Sequence, residues 1–325
     1  MVDISGRCDA PFGAVKDAFA ANFVDNADVG ASVAVTIGGE LVVDLWGGTQ
    51  DEAGTTPWER DTIINVFSTT KTMSCLALLV LASRGLVDVD APVERYWPEF
   101  GAAGKGNVLV RHLLSHTAGL PAWERRIEGV DLYDWDKVTS LLAEQATWWE
   151  PGWKSGYHGI SQGNLVGEVV RRVDGRSVGR FFADEIAGPL GADFHIGLPA
   201  EHDQRVALVI PAPPITFGSA DGSVEPARDS IPYRAANPRL MAEQSWEIPW
   251  RRAEIPAAGV SLKGVAGMIP TARVQRGSSE AARCASTGII PATPPLFSIL
   301  LDRERLFLLE DINPGICNSR SSRRI

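Results

Sequence analysis

Apolar residues at helical spacing open the chain: Val15, Phe19 and Phe23 lie one turn apart and predict an amphipathic helix over residues 14–23. Two β-rich runs follow, residues 31–37 and 41–46. They are separated by Gly38-Gly39-Glu40, the pattern of a hairpin with a glycine turn. Ile63 to Phe67 predicts a further strand, or an extended entry into the next element. That element begins near Ser68 and carries no charge from Met73 to Ala82. A helix that apolar is buried all round and runs through the middle of a fold. Gly85 marks its stop, ahead of Leu86-Val87-Asp88-Val89-Asp90-Ala91-Pro92.

From about residue 88 to 200 the pattern changes to helices and Trp/Gly/Pro-rich loops. A short helix is expected in residues 110–120, stopped by Gly119, with stronger helices over 136–145 and 165–173. Beyond Val206 the sequence is irregular and proline-rich, without repeats. Strands first, helices in the middle and a return afterwards predict an α/β lobe of residues 1–90 and 205–325. A helical lobe of residues 91–204 is inserted into it.

Composition adds exclusions. The 325 residues are 45% hydrophobic and 22% charged, ordinary for a soluble globular protein. A net charge of −9 argues against nucleic acid or an anionic membrane as the main partner. No apolar run is long enough to span a bilayer. The N-terminus, Met1 to Cys8, has neither the basic start nor the apolar core of a secretory signal. Cys8, Cys75, Cys284 and Cys317 form no C-x-x-C pair and no metal-ligand spacing. Cys75 reads as a small buried hydrophobe. The expectation is a cytoplasmic protein without metal, disulfide or cofactor.

The chemistry concentrates in Ser68-Thr69-Thr70-Lys71. A serine and a lysine three apart share one helix face. The first turn offers backbone N–H groups and the positive end of the helix dipole. Desolvation and that dipole both disfavour a charged Lys71, leaving an amine able to accept a proton from the neighbouring hydroxyl. That is the layout of acyl transfer. The bland alternative is Ser68 as a helix N-cap beside a solvated lysine. The scarcity of polar residues after Lys71 weighs against it, since only Thr72, Ser74 and Ser83 precede Arg84.

Together with His112-Leu113-Leu114-Ser115-His116-Thr117-Ala118-Gly119-Leu120 and Gly156-Tyr157-His158-Gly159, this motif resembles the serine β-lactamase-like superfamily. The likeness is greatest to the esterases related to class C β-lactamases, the family VIII carboxylesterases. It continues through Gly163 to Val173 and Phe181 to Gly191, covering most of residues 12–265. The resemblance implies a β-lactamase/transpeptidase-like antiparallel sheet flanked by helices, with an inserted helical lobe. It also implies roles: Ser68 as the acylated nucleophile, Lys71 as its activating partner, and Tyr157 as base towards Ser68 and proton donor to the leaving group. A phenol serves as a base only where neighbouring cations favour the phenolate; a protonated Lys71 would supply that charge, so which of the two holds the proton is a coupled question. The expected reaction is hydrolysis of a small-molecule carboxylic ester through an acyl-serine. The alternatives are a β-lactamase or D-Ala-peptidase, or a catalytically impaired member of the superfamily.

Two departures from the family pattern qualify this. Gly159 stands where the lactamases have asparagine, removing an amide that would bind a substrate carbonyl and favouring esters over β-lactams. From about residue 268 the likeness ends. No histidine follows His202 and no lysine follows Lys263, so the family's third motif (K-T-G, H-x-G or W-G-G) is not matched; Ser286-Thr287-Gly288 is nearest. Arg320 to Arg324 resembles no core strand. A replaced C-terminus and weak activity are the expectation.

Competing patterns are weaker. Gly159-Ile160-Ser161-Gln162-Gly163 fits the nucleophile-elbow pattern, but the segment before it reads as loop rather than strand. Ser161 near the start of the next helix is the expected role. His112 and His116 share the spacing of metal ligands without a third ligand, and His116 is expected to bond the backbone of its own turn. Trp123, Trp135, Trp148, Trp149 and Trp153 are expected to wall the Tyr157 loop, mostly as core.

Overall fold

In chain order the computed structural model comprises β1 (Ile4–Cys8), α1 (Gly13–Asp25), β2 (Gly30–Ile37), β3 (Glu40–Gly48), β4 (Ile63–Asn65), α2 (Thr69–Ser83) and α3 (Val110–Leu114). It continues with α4 (Trp135–Glu144), α5 (Ser161–Asp174), α6 (Val178–Phe182), β5 (Leu262–Val265), β6 (Phe297–Asp302) and β7 (Arg305–Glu310). The structure describes residues 2–25, 28–210, 262–265, 297–302 and 305–310. Ser286-Thr287-Gly288 and Arg320 to Arg324 lie outside the described residues. Two compact units form, residues 1–48 with 269–325, and residues 49–268.

In the first unit an antiparallel sheet runs in the order β1-β3-β2, with the β2–β3 hairpin turning at Gly38-Gly39 as the sequence pattern predicts. Phe19 of α1 packs with Val43 and Leu45 of β3, and Val15 and Phe23 lie against that cluster. The three aromatic and aliphatic positions of the helix thus face the sheet, as their spacing predicts. β6 and β7 pair with each other, Leu301 opposite Leu306. That pair is a finding beyond the sequence pattern, because Phe297-Ser298-Ile299-Leu300-Leu301 carries little period-two alternation to signal a strand.

The second unit is built around α2. Ala77, Leu78 and Leu81 are wholly buried, with Leu76 nearly so, and the helix packs on α5 and α6. α2 ends as its glycine predicts. Gly85 is left-handed at φ +73°, its N–H donates to Ala82 O, and Leu86 N–H donates to Leu81 O. This pairing closes the last turn and satisfies two orphan carbonyls. β4, which feeds α2, pairs antiparallel with β5 and bridges Val206 in parallel.

α5 is tied to α4 through Glu168, a buried carboxylate that accepts from Trp135 Nε1 at 2.7 Å and from Arg171 and Arg172. Burial pushes this carboxyl up. The hydrogen bonds from Arg171, Arg172 and Trp135 outweigh burial and hold it below the usual glutamate range. Among the described residues no helix is long and apolar enough to cross a membrane.

Candidate active site

The turn from β4 into α2 sets the position of Ser68. Phe67 adopts φ +46°, a left-handed conformation that costs a bulky side chain free energy. The buried Asn65 side chain holds it there, its Oδ1 accepting the Phe67 N–H at 2.8 Å. Ser68 occupies the N-cap position of α2, yet its side chain makes no capping hydrogen bond. The hydroxyl is engaged elsewhere. Lys71 Nζ donates to Ser68 Oγ at 3.2 Å, and the Tyr157 hydroxyl donates to the same oxygen at 2.7 Å from 89 residues away.

Lys71, 6% exposed, is buried where the sequence pattern expects a desolvated lysine. Burial brings its pKa down to about 8, against a smaller opposing effect of Cys75 one turn on. The Cys75 thiol is pushed up to about 11 by burial, and its Sγ accepts from Gln162 Nε2 at 3.3 Å. A protonated, half-buried thiol of this kind is packing rather than a nucleophile.

Ser161, the competitor, is wholly buried at the start of α5, and its Oγ donates to Leu120 O at 2.7 Å. No ester carbonyl reaches an oxygen so enclosed. His112 Nδ1 accepts the Leu109 N–H at 3.1 Å, where it caps α3. The expectation for His116 needs correction. Its Nδ1 accepts the His158 N–H, 42 residues on, at 3.2 Å. The backbone of His116 adopts φ +60° and turns the ring out of α3's path towards the Tyr157 loop. Among the tryptophans, Trp123 and Trp149 are buried, whereas Trp153 is 73% exposed. A Cβ on Gly159 would meet only Tyr157 ring carbons at 3.9 Å, so the position has room for a side chain.

Asn65, Phe67 and His158 are the members of this site without a role in the sequence reading, which gives His116 only a bond within its own turn. The signal available for His116 was its residue type, since histidine is several-fold enriched at positive φ.

Residues 17–273 match the β-lactamase family model. The chain belongs to that family. Among curated relatives it is 36% identical over 267 residues to an esterase/β-lactamase, LipL, of Mycobacterium tuberculosis, covering 78% of this chain and 60% of that protein. It is 30% identical over 217 residues to Esterase EstB of Burkholderia gladioli, covering 57% of this chain and 55% of EstB. The chain therefore spans little more than half the length of these relatives. Its fold is β-lactamase/transpeptidase-like. A crystal structure of a family VIII carboxylesterase superposes with a TM-score of 0.70 at 46% identity, covering 78% of this chain and 67% of that one.

Proposed function

We propose that this member of the family is a serine hydrolase that cleaves small carboxylic esters through an acyl-serine intermediate. The observation that carries the reading is the convergence of Lys71 Nζ and the Tyr157 hydroxyl on Ser68 Oγ, at 3.2 and 2.7 Å. The likeness to LipL, to EstB and to a family VIII carboxylesterase supports it.

Ser68 Oγ attacks the ester carbonyl carbon and its proton passes to the neutral Lys71 amine, directly or through the Tyr157 oxygen. The carbonyl oxygen becomes an oxyanion, with the Ser68 backbone N–H as one donor to it. Collapse breaks the bond to the alcohol oxygen, which takes a proton from Tyr157 as it leaves. Water then attacks the acyl-serine, losing its proton to the same pair, and releases the acid with Ser68 restored.

The test is a fluorophosphonate probe with mass mapping, alongside Ser68→Ala and Ser161→Ala assayed on a short activated ester. Labelling at Ser68, with activity lost in Ser68→Ala and largely kept in Ser161→Ala, is the expected outcome. Labelling at Ser161, or nowhere, rejects the reading. A second reading, β-lactam hydrolysis, is favoured by the name of LipL, an esterase/β-lactamase. Short esters turned over no better than cephalosporins would select it.

A further inference from the structure

The loop that carries Tyr157 belongs to no helix or strand, so something other than a backbone ladder must hold the phenol on Ser68. Two histidines surround it. His158 is wholly buried and uses both ring nitrogens on backbone groups: Nε2 accepts the Leu120 N–H at 3.1 Å, and Nδ1 lies 2.6 Å from Gly156 O. Because Nε2 accepts, the proton sits on Nδ1 and is donated to Gly156 O. Tyr157 is therefore bracketed by a residue whose carbonyl accepts from His158 and by His158 itself.

The second histidine is His116. Its Nδ1 accepts the His158 N–H at 3.2 Å, which puts its proton on Nε2. Its carbonyl accepts the Gly156 N–H at 3.1 Å. The imidazole lies 4.9 Å from the Tyr157 ring centroid and 5.5 Å from that of His158. One residue thus binds the backbone on both sides of Tyr157 and packs on its ring, which explains a non-glycine residue at φ +60°.

Both rings are neutral. Burial, with the Lys71 charge behind it, pulls His116 down to about 4. Burial and then His116 pull His158 down to about 3, against the Gly156 hydrogen bond. A second proton on His116 would set N–H against N–H at Nδ1 and break the clamp.

We propose that His116 is a positioning residue for the esterase reaction: through Nδ1 and its ring it fixes the Tyr157 loop so that the phenol stays on Ser68 Oγ. The inference rests on the reading of Tyr157 as the proton carrier. Two substitutions separate acceptor placement from bulk. His116→Asn tolerates the left-handed backbone and sets an amide oxygen near the position of Nδ1; His116→Gln sets its amide one bond further out. Rates per active site, titrated with a fluorophosphonate, remove any difference in folded fraction.

His116→Gln should lower kcat per titrated site about tenfold or more with KM changed by less than about threefold, because the phenol rather than the substrate site is displaced. His116→Asn should recover most of that loss. In a Tyr157→Phe background, His116→Gln should cost almost nothing further, since its effect passes through the missing hydroxyl. Equal effects of Asn and Gln, a loss confined to KM, or a full loss persisting in Tyr157→Phe would each overturn the inference. If Tyr157→Phe alone keeps wild-type kcat, the underlying assignment of Tyr157 falls instead, and the clamp's role in catalysis falls with it.

Discussion

Lys71 Nζ stands 5.2 Å from the centroid of the Tyr157 ring while both side chains address Ser68 Oγ. A cation over an aromatic face is attracted by its quadrupole, so a protonated Lys71 is partly stabilised by the ring that shares its task. Both side chains thus converge on one hydroxyl.

This sets a pH dependence. Burial lowers Lys71 from its ordinary value to about 8. Below that pH the amine is protonated and cannot take the Ser68 proton; above it the amine is a base. kcat/KM on a short activated ester should therefore rise with pH through about 8 and level off. For stability the sign is the same: a depressed lysine pKa favours the folded state at high pH, and this contribution is lost as pH falls through about 8. A kcat/KM that is flat between about pH 7 and 9 would remove Lys71 as the base.

Gly159 offers a gain-of-function test. Because a Cβ there meets only the Tyr157 ring, at 3.9 Å, Gly159→Asn fits without displacing backbone. One new hydrogen bond to a substrate carbonyl is worth about 0.5–1.5 kcal/mol, so the ratio of cephalosporin to ester kcat/KM should rise by about twofold to tenfold. An unchanged ratio in a folded variant would show that position 159 does not face the acyl amide.

Lys105 should be a stability residue. It is 1% exposed, and its Nζ donates to Ala102 O at 2.8 Å, to Ala143 O at 2.7 Å and to Gln145 O. Two of these carbonyls close the C-terminal end of α4, where helix acceptors lack partners. Lys105→Met keeps the stem and strands the acceptors at about 1–3 kcal/mol each, part of it regained by apolar burial. The expected loss in urea unfolding is about 2–4 kcal/mol, with the midpoint moved and the slope kept. A change under about 0.5 kcal/mol would rule the cap out.

α2 was legible because a serine, a lysine three residues on and an uncharged run all point to one buried helix, and each of these is local. The hairpin at Gly38-Gly39 was legible for the same reason. β1 was not, since Ile4-Ser5-Gly6-Arg7-Cys8 is short and turns mainly exposed or half-exposed side chains outward. The pairing of Ser68 with Tyr157 is beyond any local pattern; it came from resemblance, and 89 residues separate the two. The left-handed backbone of Phe67 was illegible because its residue type disfavours positive φ and surrounding contacts impose it; at His116 the residue type was the one local hint. Ser161 shows the converse, a motif that reads as catalytic while its oxygen serves a buried carbonyl.

Leu120 lies in no helix or strand, yet both of its backbone polar groups are taken by side chains: the N–H by His158 Nε2 and the carbonyl by Ser161 Oγ. An amide in such a loop would ordinarily exchange with solvent deuterium quickly. Here exchange must wait until the segment carrying His158 swings away, and Tyr157 goes with it. The protection of this single amide is therefore a clock for excursions of the Tyr157 loop, one that runs in the resting protein without substrate or turnover.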